Sequence, residues 1–205
     1  MKKKTCKQCK VKFEPIRPLQ YVCSPKCGYE YVKESNIKKA KTDWQKEKKV
    51  IKEKLMTLSN WQDLLQTEIN HIARIIDKDT GCISCGGNTT PAGGHYHSIG
   101  AKRNLRFNLD NIHLQDFNCN NWKSANIHEY DLGLINRYGK EYWNYVKFDI
   151  PLKFKLLKMP INEYKEKIEI SRQIVKELKK LDLNYSAEVR LKLREKYNER
   201  LNIYK

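Results

Sequence analysis

The chain lacks any long apolar run. Nowhere in its 205 residues does it reach the roughly 18 uninterrupted apolar side chains that a membrane-spanning helix requires. Its first residues, MKKKTCKQCK, follow the lysines with no apolar stretch, which excludes a secretory leader and points to the cytoplasm. No Lys/Arg-rich helix carries the aromatic, apolar face that would anchor it at a lipid surface, so no membrane partner is expected. Acidic residues are also scarce, 24 against 41 Lys and Arg, for a formal charge of +17. Such an excess favours a polyanionic partner, DNA first. Aromatic stacking strips of the kind that read single-stranded RNA are missing too.

What is present is cysteine, seven in all, six of them in C-x2-C or C-x3-C pairs. In a reducing compartment such pairs are metal ligands rather than disulfides. Cys6, Cys9, Cys23 and Cys27 lie in one short basic segment too small to hold a core, and four thiolates at this spacing close tetrahedrally on a structural Zn²⁺. A closed site of this kind has no open position for catalysis.

The chain divides into an N-terminal zinc-binding unit (1–30), a lysine-dense helical linker (31–58), a central core with its leading helix (59–135) and a C-terminal helical region (136–205). The linker has too few apolar residues to bury a core of its own. Ser59 and Gln62 fit a capping box at a helix start. Trp61, Leu65, Ile69, Ile72 and Ile76 then make one apolar stripe that ends before Gly81. Gly139 is a C-cap candidate. A stripe of Ile161, Tyr164, Ile168, Val175, Leu178 and Leu181 precedes a turn at Asn184 and a cap at Ser186. A second stripe, Val189, Leu193, Tyr197 and Leu201, completes a helical hairpin that could cover the core, pair two copies, or lie along DNA.

The central stretch carries the chemistry. CISCGGNTTPAGGHYH (82–97) is followed by RFNLDNIHLQDFNCNNWKS (106–124). The order is Cys82-x2-Cys85, His95, Asn111, then Cys119 with Asn120, which is the order of an HNH, or ββα-metal, nuclease. The expected fold is therefore α+β and mostly helical, with a zinc-knuckle ββα-metal, treble-clef-like core flanked by helices. Phosphodiester hydrolysis needs a base near neutrality and a divalent cation to neutralise developing charge. His95 is the candidate base, Asn111 pins the hairpin, and Asn120 is an oxygen ligand for Mg²⁺ or Mn²⁺. Gly93 and Gly94 would permit a sharp turn and the close approach of a phosphate. Lys102, Arg103, Arg106 and Lys123 are candidate DNA contacts.

These residues resemble the phage lambda NinG (Rap) recombination protein family, through CKQCK and YVCSPKC, then CISCG and AGGHY, then LRFNLDNIHLQ and CNNWKS. The resemblance runs along most of the chain and is most specific in the central block. It implies a Mg²⁺-dependent endonuclease cutting branched recombination intermediates such as Holliday junctions and D-loops, in the host cytoplasm if phage-encoded. A resolvase cutting both strands symmetrically would be expected to act as a homodimer.

Two positions depart from the HNH pattern. The acidic metal ligand that commonly precedes the base histidine is replaced by Gly94, leaving His97, His113, Asp110 or water to complete the shell. His113 is accordingly a candidate catalytic residue and His97 a candidate ligand of the catalytic cation. In the knuckle, Asp116 stands where a cysteine is expected, so the second zinc set reads Cys82, Cys85, Asp116 and Cys119. The chain would then bind one or two zinc ions. His71 and His128 have no motif around them. The competing reading is a non-catalytic zinc protein that binds DNA as a recombination accessory.

Overall fold

The computed structural model describes residues 2–87, 89–156, 158–181 and 185–204. The chain forms two compact units, Met1–Met56 and Thr57–Lys205.

In the first unit a minimal antiparallel hairpin pairs β1 (Lys4–Thr5) with β2 (Lys12–Phe13). Lys10, at φ 63, closes the turn between them. Helix α1 (Pro25–Lys54) begins inside the cysteine segment, earlier than the linker expected from 31. Ser24 is its cap, accepting from the Cys27 amide, and Pro25 takes the first position, where its missing N–H costs nothing. Cys27 therefore sits in the first helical turn. No residue of α1 is buried, as its lysine-dense composition predicts.

The second unit opens with α2 (Leu58–Ile76). Its capping box lies two residues before the Ser59 expected from sequence. Thr57 Oγ1 accepts from the Asn60 amide, and Asn60 Oδ1 accepts from the Thr57 amide. Gln62 is drawn elsewhere, to the Tyr164 hydroxyl and the Arg106 guanidinium, so Ser59 has no reciprocal partner. Trp61, Leu65, Ile69, Ile72 and Ile76 are buried, as their spacing requires.

Antiparallel strands β3 (Pro91–His95) and β4 (Ile112–Asp116) follow, with Gly94 opposite His113 and His95 opposite Ile112. The helix that a ββα core would place directly after β4 does not open at Cys119. A π-helical turn (Asn118–Trp122) and a 3₁₀ turn (Ser124–Asn126) come first, and α3 runs from Ile127 to Tyr138. Left-handed Ala125 and Asn126 break the path between them. Gly139, at φ 90, ends α3, and α4 (Lys140–Asn144) and α5 (Ile150–Lys153) pack beside it.

Helices α6 (Ile161–Leu178) and α7 (Ala187–Leu201) cover the core. The first lies along α2, and the second lies across α2 and the turn at Leu109–Asn111. Ser186 caps α7 as expected, while Asn184 lies outside the described residues. In α6 the predicted stripe is buried from Tyr164 to Leu178, but Ile161 is exposed and Leu181 falls beyond the helix, also exposed. In α7 the predicted stripe holds at Tyr197 and Leu201 and is displaced by one position at its first two members. The face that turns inward is Arg190, Arg194, Tyr197 and Leu201, with Val189 exposed. The whole is α+β and mostly helical, with two small two-stranded sheets. No helix among the described residues is long and apolar enough to cross a membrane.

Candidate metal centres and the histidine hairpin

All seven cysteines are free thiols. In the first unit, sulfurs of Cys6, Cys9, Cys23 and Cys27 lie within 4.8 Å of one another. The Cys23 amide points at Cys6 Sγ at 3.4 Å. Burial opposes ionisation of Cys6, but the Cys9 and Cys23 amides outweigh it and draw the thiol down to about 6. Cys23, crowded by Cys27 and Cys9, is pushed up to about 12. Four sulfurs packed this closely repel as thiolates unless a cation sits among them, so the donor set fits a four-coordinate zinc.

The second unit gathers three thiols, Cys82, Cys85 and Cys119, to the same tolerance. The Ser84 and Cys85 amides both point at Cys82 Sγ, each at 3.4 Å. Positive φ at Gly81 and Gly86 folds the knuckle, closed by hydrogen bonds from the Cys82 amide to Gly87 and from the Gly86 amide to Cys82. This group could hold zinc as well. Asp116 does not join it, contrary to the expected ligand set. Its carboxylate accepts from the Thr89 hydroxyl and the amides of Thr90 and Asn118, and these bonds hold it down to about 2.

On the hairpin, His95 is half-buried, and its Nε2 lies 3.0 Å from the Arg106 carbonyl oxygen. A carbonyl can only accept, so Nε2 carries the proton and Nδ1 presents a bare lone pair. Burial lowers the pKa of His95, which keeps the ring neutral at physiological pH. Asn111 is fully buried and binds the connecting loop at three points. Its Oδ1 accepts from the His97 amide, and its Nδ2 donates to the His97 and Leu105 carbonyls. It ties the loop to the hairpin, while the ring of His95 is held by the Arg106 carbonyl.

His97 donates from Nε2 to the Val146 carbonyl and packs edge-on against Tyr96. His113 is fully buried and lies on the strand face opposite to that of His95, because neighbouring positions alternate. Its Nδ1 meets the Tyr130 hydroxyl, which donates onward to the Gly94 carbonyl. Burial drives its pKa well below the ordinary histidine value. A histidine sealed this way cannot reach substrate, so the catalytic expectation for His113 is corrected to a structural one.

The glycine pair also departs from expectation. Gly93 and Gly94 lie within β3 and form no turn. A Cβ on Gly94 would stand 2.1 Å from Gln115 Oε1, and one on Gly93 would stand 2.7 Å from Asn70. Neighbouring side chains already fill the space expected for a phosphate. A side chain at position 94 would have to displace Gln115. Gln115 itself is held by hydrogen bonds from its Nε2 to Ser84 and the Ala125 carbonyl.

Asn120 sits on the π-helical turn, its Nδ2 donating to Asn121. Among the described residues no hydrogen bond joins it to His95 or His97, and no third group of His, Cys, Asp or Glu ligands gathers beside the two cysteine sets. Of the four candidate DNA contacts, Arg103 and Lys123 are exposed and Lys102 is half-buried. Arg106 is committed to α2, donating to Gln66, Gln62 and Asp63, and is corrected from a phosphate ligand to an internal strut. A cavity of about 480 Å³ opens beside it, lined by Gln62, Ile99, Arg103, Phe107 and Tyr164 among others.

Sequence reasoning missed the group that locks this hairpin in place. Arg194, fully buried on α7, donates to the Leu109 and Ile112 carbonyls and pairs with buried Asp77 at 2.7 Å. Asp77 also accepts from the Leu114 amide and the Tyr138 hydroxyl. Its pKa is about 2: burial opposes ionisation, and Arg194 with His113 and the Leu114 amide more than offsets that. The available signal was the spacing of Arg190 and Arg194 with Tyr197 and Leu201, which share one helical face.

The family model described as "Bacteriophage Lambda NinG protein" matches residues 1–182. The chain belongs to the NinG family. Its relatives include the Protein ninG of Escherichia phage lambda, 35% identical over 157 residues, covering 68% of this chain and 77% of that protein. The Protein ninG of Enterobacteria phage H19B is 36% identical over 158 residues, with the same coverage. That of Salmonella phage P22 is 34% identical over 155 residues, or 67% and 76%. No solved structure gives a significant match. The match of the NinG family extends over the first cysteine set, the second set and the histidine hairpin alike.

Proposed function

We propose that this NinG-family chain is a metal-dependent DNA endonuclease that cuts branched recombination intermediates, built on a zinc-knuckle hairpin of the ββα-metal type. The observation that carries the reading is the tautomer of His95: Nε2 anchored on the Arg106 carbonyl, Nδ1 unprotonated and without a partner among the described residues. That lone pair takes a proton from the attacking water as the new P–O bond forms, and the P–O3′ bond breaks, O3′ taking a proton from solvent water, to leave a 5′-phosphate and a 3′-hydroxyl. Asn111 holds the loop that sets the spacing of His95 and His97. Arg103, Lys102 and Lys123 bind flanking phosphates, and the net charge of +17 draws DNA in.

The donors for a catalytic Mg²⁺ or Mn²⁺ are few: the Asn120 carboxamide oxygen and the free Nδ1 of His97. They suit a hard cation that keeps most of its water shell rather than a caged one. When bound, such an ion would neutralise charge on the phosphate and the departing oxygen. Symmetric cutting of both strands calls for two copies of the chain.

One observation favours a non-catalytic DNA-binding protein instead, namely that Gln115 fills the place of the usual acidic ligand. A single assay separates the two. Purified chain is incubated with a four-way junction and an equal-length duplex, with Mg²⁺ or EDTA. The nuclease reading expects Mg²⁺-dependent cutting of the junction, reduced about 10²–10⁴-fold in His95→Ala. Tight junction binding with no cleavage, or full activity in His95→Ala, would leave the binding reading in its place.

A further inference from the structure

We infer that the second zinc centre is held by three thiolates only, Cys82, Cys85 and Cys119, and that its fourth position is open to solvent and to small exogenous donors. The inference does not depend on the nuclease reading.

Zinc in protein sites takes four ligands, and a closed structural site draws all of them from the chain. The first centre of this protein meets that condition with four sulfurs. The second does not: among the described residues, three ligand atoms converge and no further His, Cys, Asp or Glu joins them. Asp116 is the residue in register to be the fourth, three positions before Cys119 as Cys82 is three before Cys85. Its oxygens lie outside the cluster and are engaged elsewhere. Oδ2 accepts from Thr89 and Thr90 and Oδ1 from the Asn118 amide, so this carboxylate clasps the loop before β3 to the turn after β4. Moving it onto a metal would disturb four hydrogen bonds, from the Thr89 and Thr90 hydroxyls and the Thr90 and Asn118 amides.

The remaining side of the cluster is accessible. Cys82 and Cys119 are buried, whereas Cys85 is exposed, so the metal would meet water on the Cys85 side. His128, near the start of α3, is exposed and stands outside the sulfur cluster. A three-thiolate zinc with one water is a site a small anion can enter. The four-thiolate centre in the same chain is closed and serves as an internal control.

The test uses the full chain with Co²⁺ in both centres, where ligand-field bands report the donor set. Azide is the probe. Azide should shift part of the cobalt spectrum saturably, corresponding to one of two bound ions. Asp116→Ala and Asp116→Asn should still bind two equivalents with an unchanged spectrum, while Cys119→Ser should lose one. A cobalt spectrum indifferent to azide would show a protein donor, such as Asp116 or His128, in the fourth place and overturn the inference. So would loss of one equivalent in Asp116→Asn with the near-ultraviolet circular dichroism of the fold retained. Should Asp116→Ala fail to fold, the azide titration of the unaltered chain decides alone.

Discussion

The two cysteine centres look alike in sequence and live in opposite surroundings. The first gathers four sulfurs in a unit whose strands, among the described residues, are two residues long and whose long helix buries nothing. The second gathers three sulfurs in a unit with an apolar core running through α2, the hairpin and α6. Where there is no core, every coordination position must come from the chain, because the metal is the fold. Where a core exists, the knuckle can give up a ligand and use that residue as a loop clasp, which is what Asp116 does.

The largest effect that sharpens this contrast is metal removal. A strong chelator, or Cys6→Ser, should abolish amide protection between residues 4 and 28, since structural zinc in such small units is worth about 10–16 kcal/mol. The unit from 57 onward should keep its protection under the same treatment. Protected amides around Cys23–Gly28 in the metal-free chain would break the comparison.

Next comes the core unit's own clamp. Arg194→Ala leaves Asp77 charged and buried without its partner, and should cost about 3–5 kcal/mol in the urea transition of residues 57–205. A loss under about 1 kcal/mol would mean that the ion pair is not what holds α7 to the hairpin.

Acid should act on the same unit in two stages. His71, His95, His97 and His113 all have lowered pKa values, chiefly through burial. The unfolded chain therefore takes up protons near pH 6.5 that the folded one refuses, and stability falls as the pH drops below that value. Asp77 has the opposite charge type: its folded pKa of about 2 lies below the ordinary 3.8, so its contribution is complete above about pH 4 and disappears towards pH 2. That second stage is worth about 2 kcal/mol. A urea midpoint that stays flat from pH 7 to pH 2 would contradict both stages.

The smallest effect marks where the core unit begins. Thr57→Ala should cost about 1 kcal/mol by removing the cap of α2, and Ser59→Ala less than about 0.5 kcal/mol. Thermal unfolding of the two variants side by side would show it, and the reverse order would restore the cap to Ser59.

Much of this architecture was legible because it rests on local rules. Cysteine spacing, the α2 stripe, the Ser186 cap and the Gly139 stop each depend on residues within a turn or two of one another. What was not legible depends on distant partners. Gly94 reads as a lost carboxylate or a phosphate cradle until Gln115, twenty-one positions away, is seen filling its space. His113 and His95 look equivalent as letters, and only the register of β3 with β4 sends them to opposite faces. In α7 apolar residues alone point to Val189 and Leu193, whereas the inward positions are Arg190 and Arg194. The guanidinium of Arg194 is buried only because two carbonyls and a carboxylate wait for it.

That guanidinium also sets an order of events during synthesis. Its carbonyl partners on the return of the hairpin precede it by 85 and 82 residues, and Asp77 precedes it by 117. While the nascent chain is still emerging from the ribosome, the hairpin is therefore held by Asn111 and lacks its second latch. A message broken before codon 194 would yield a polypeptide that keeps both cysteine knuckles but leaves Asp77 and the Leu109 and Ile112 carbonyls without their guanidinium.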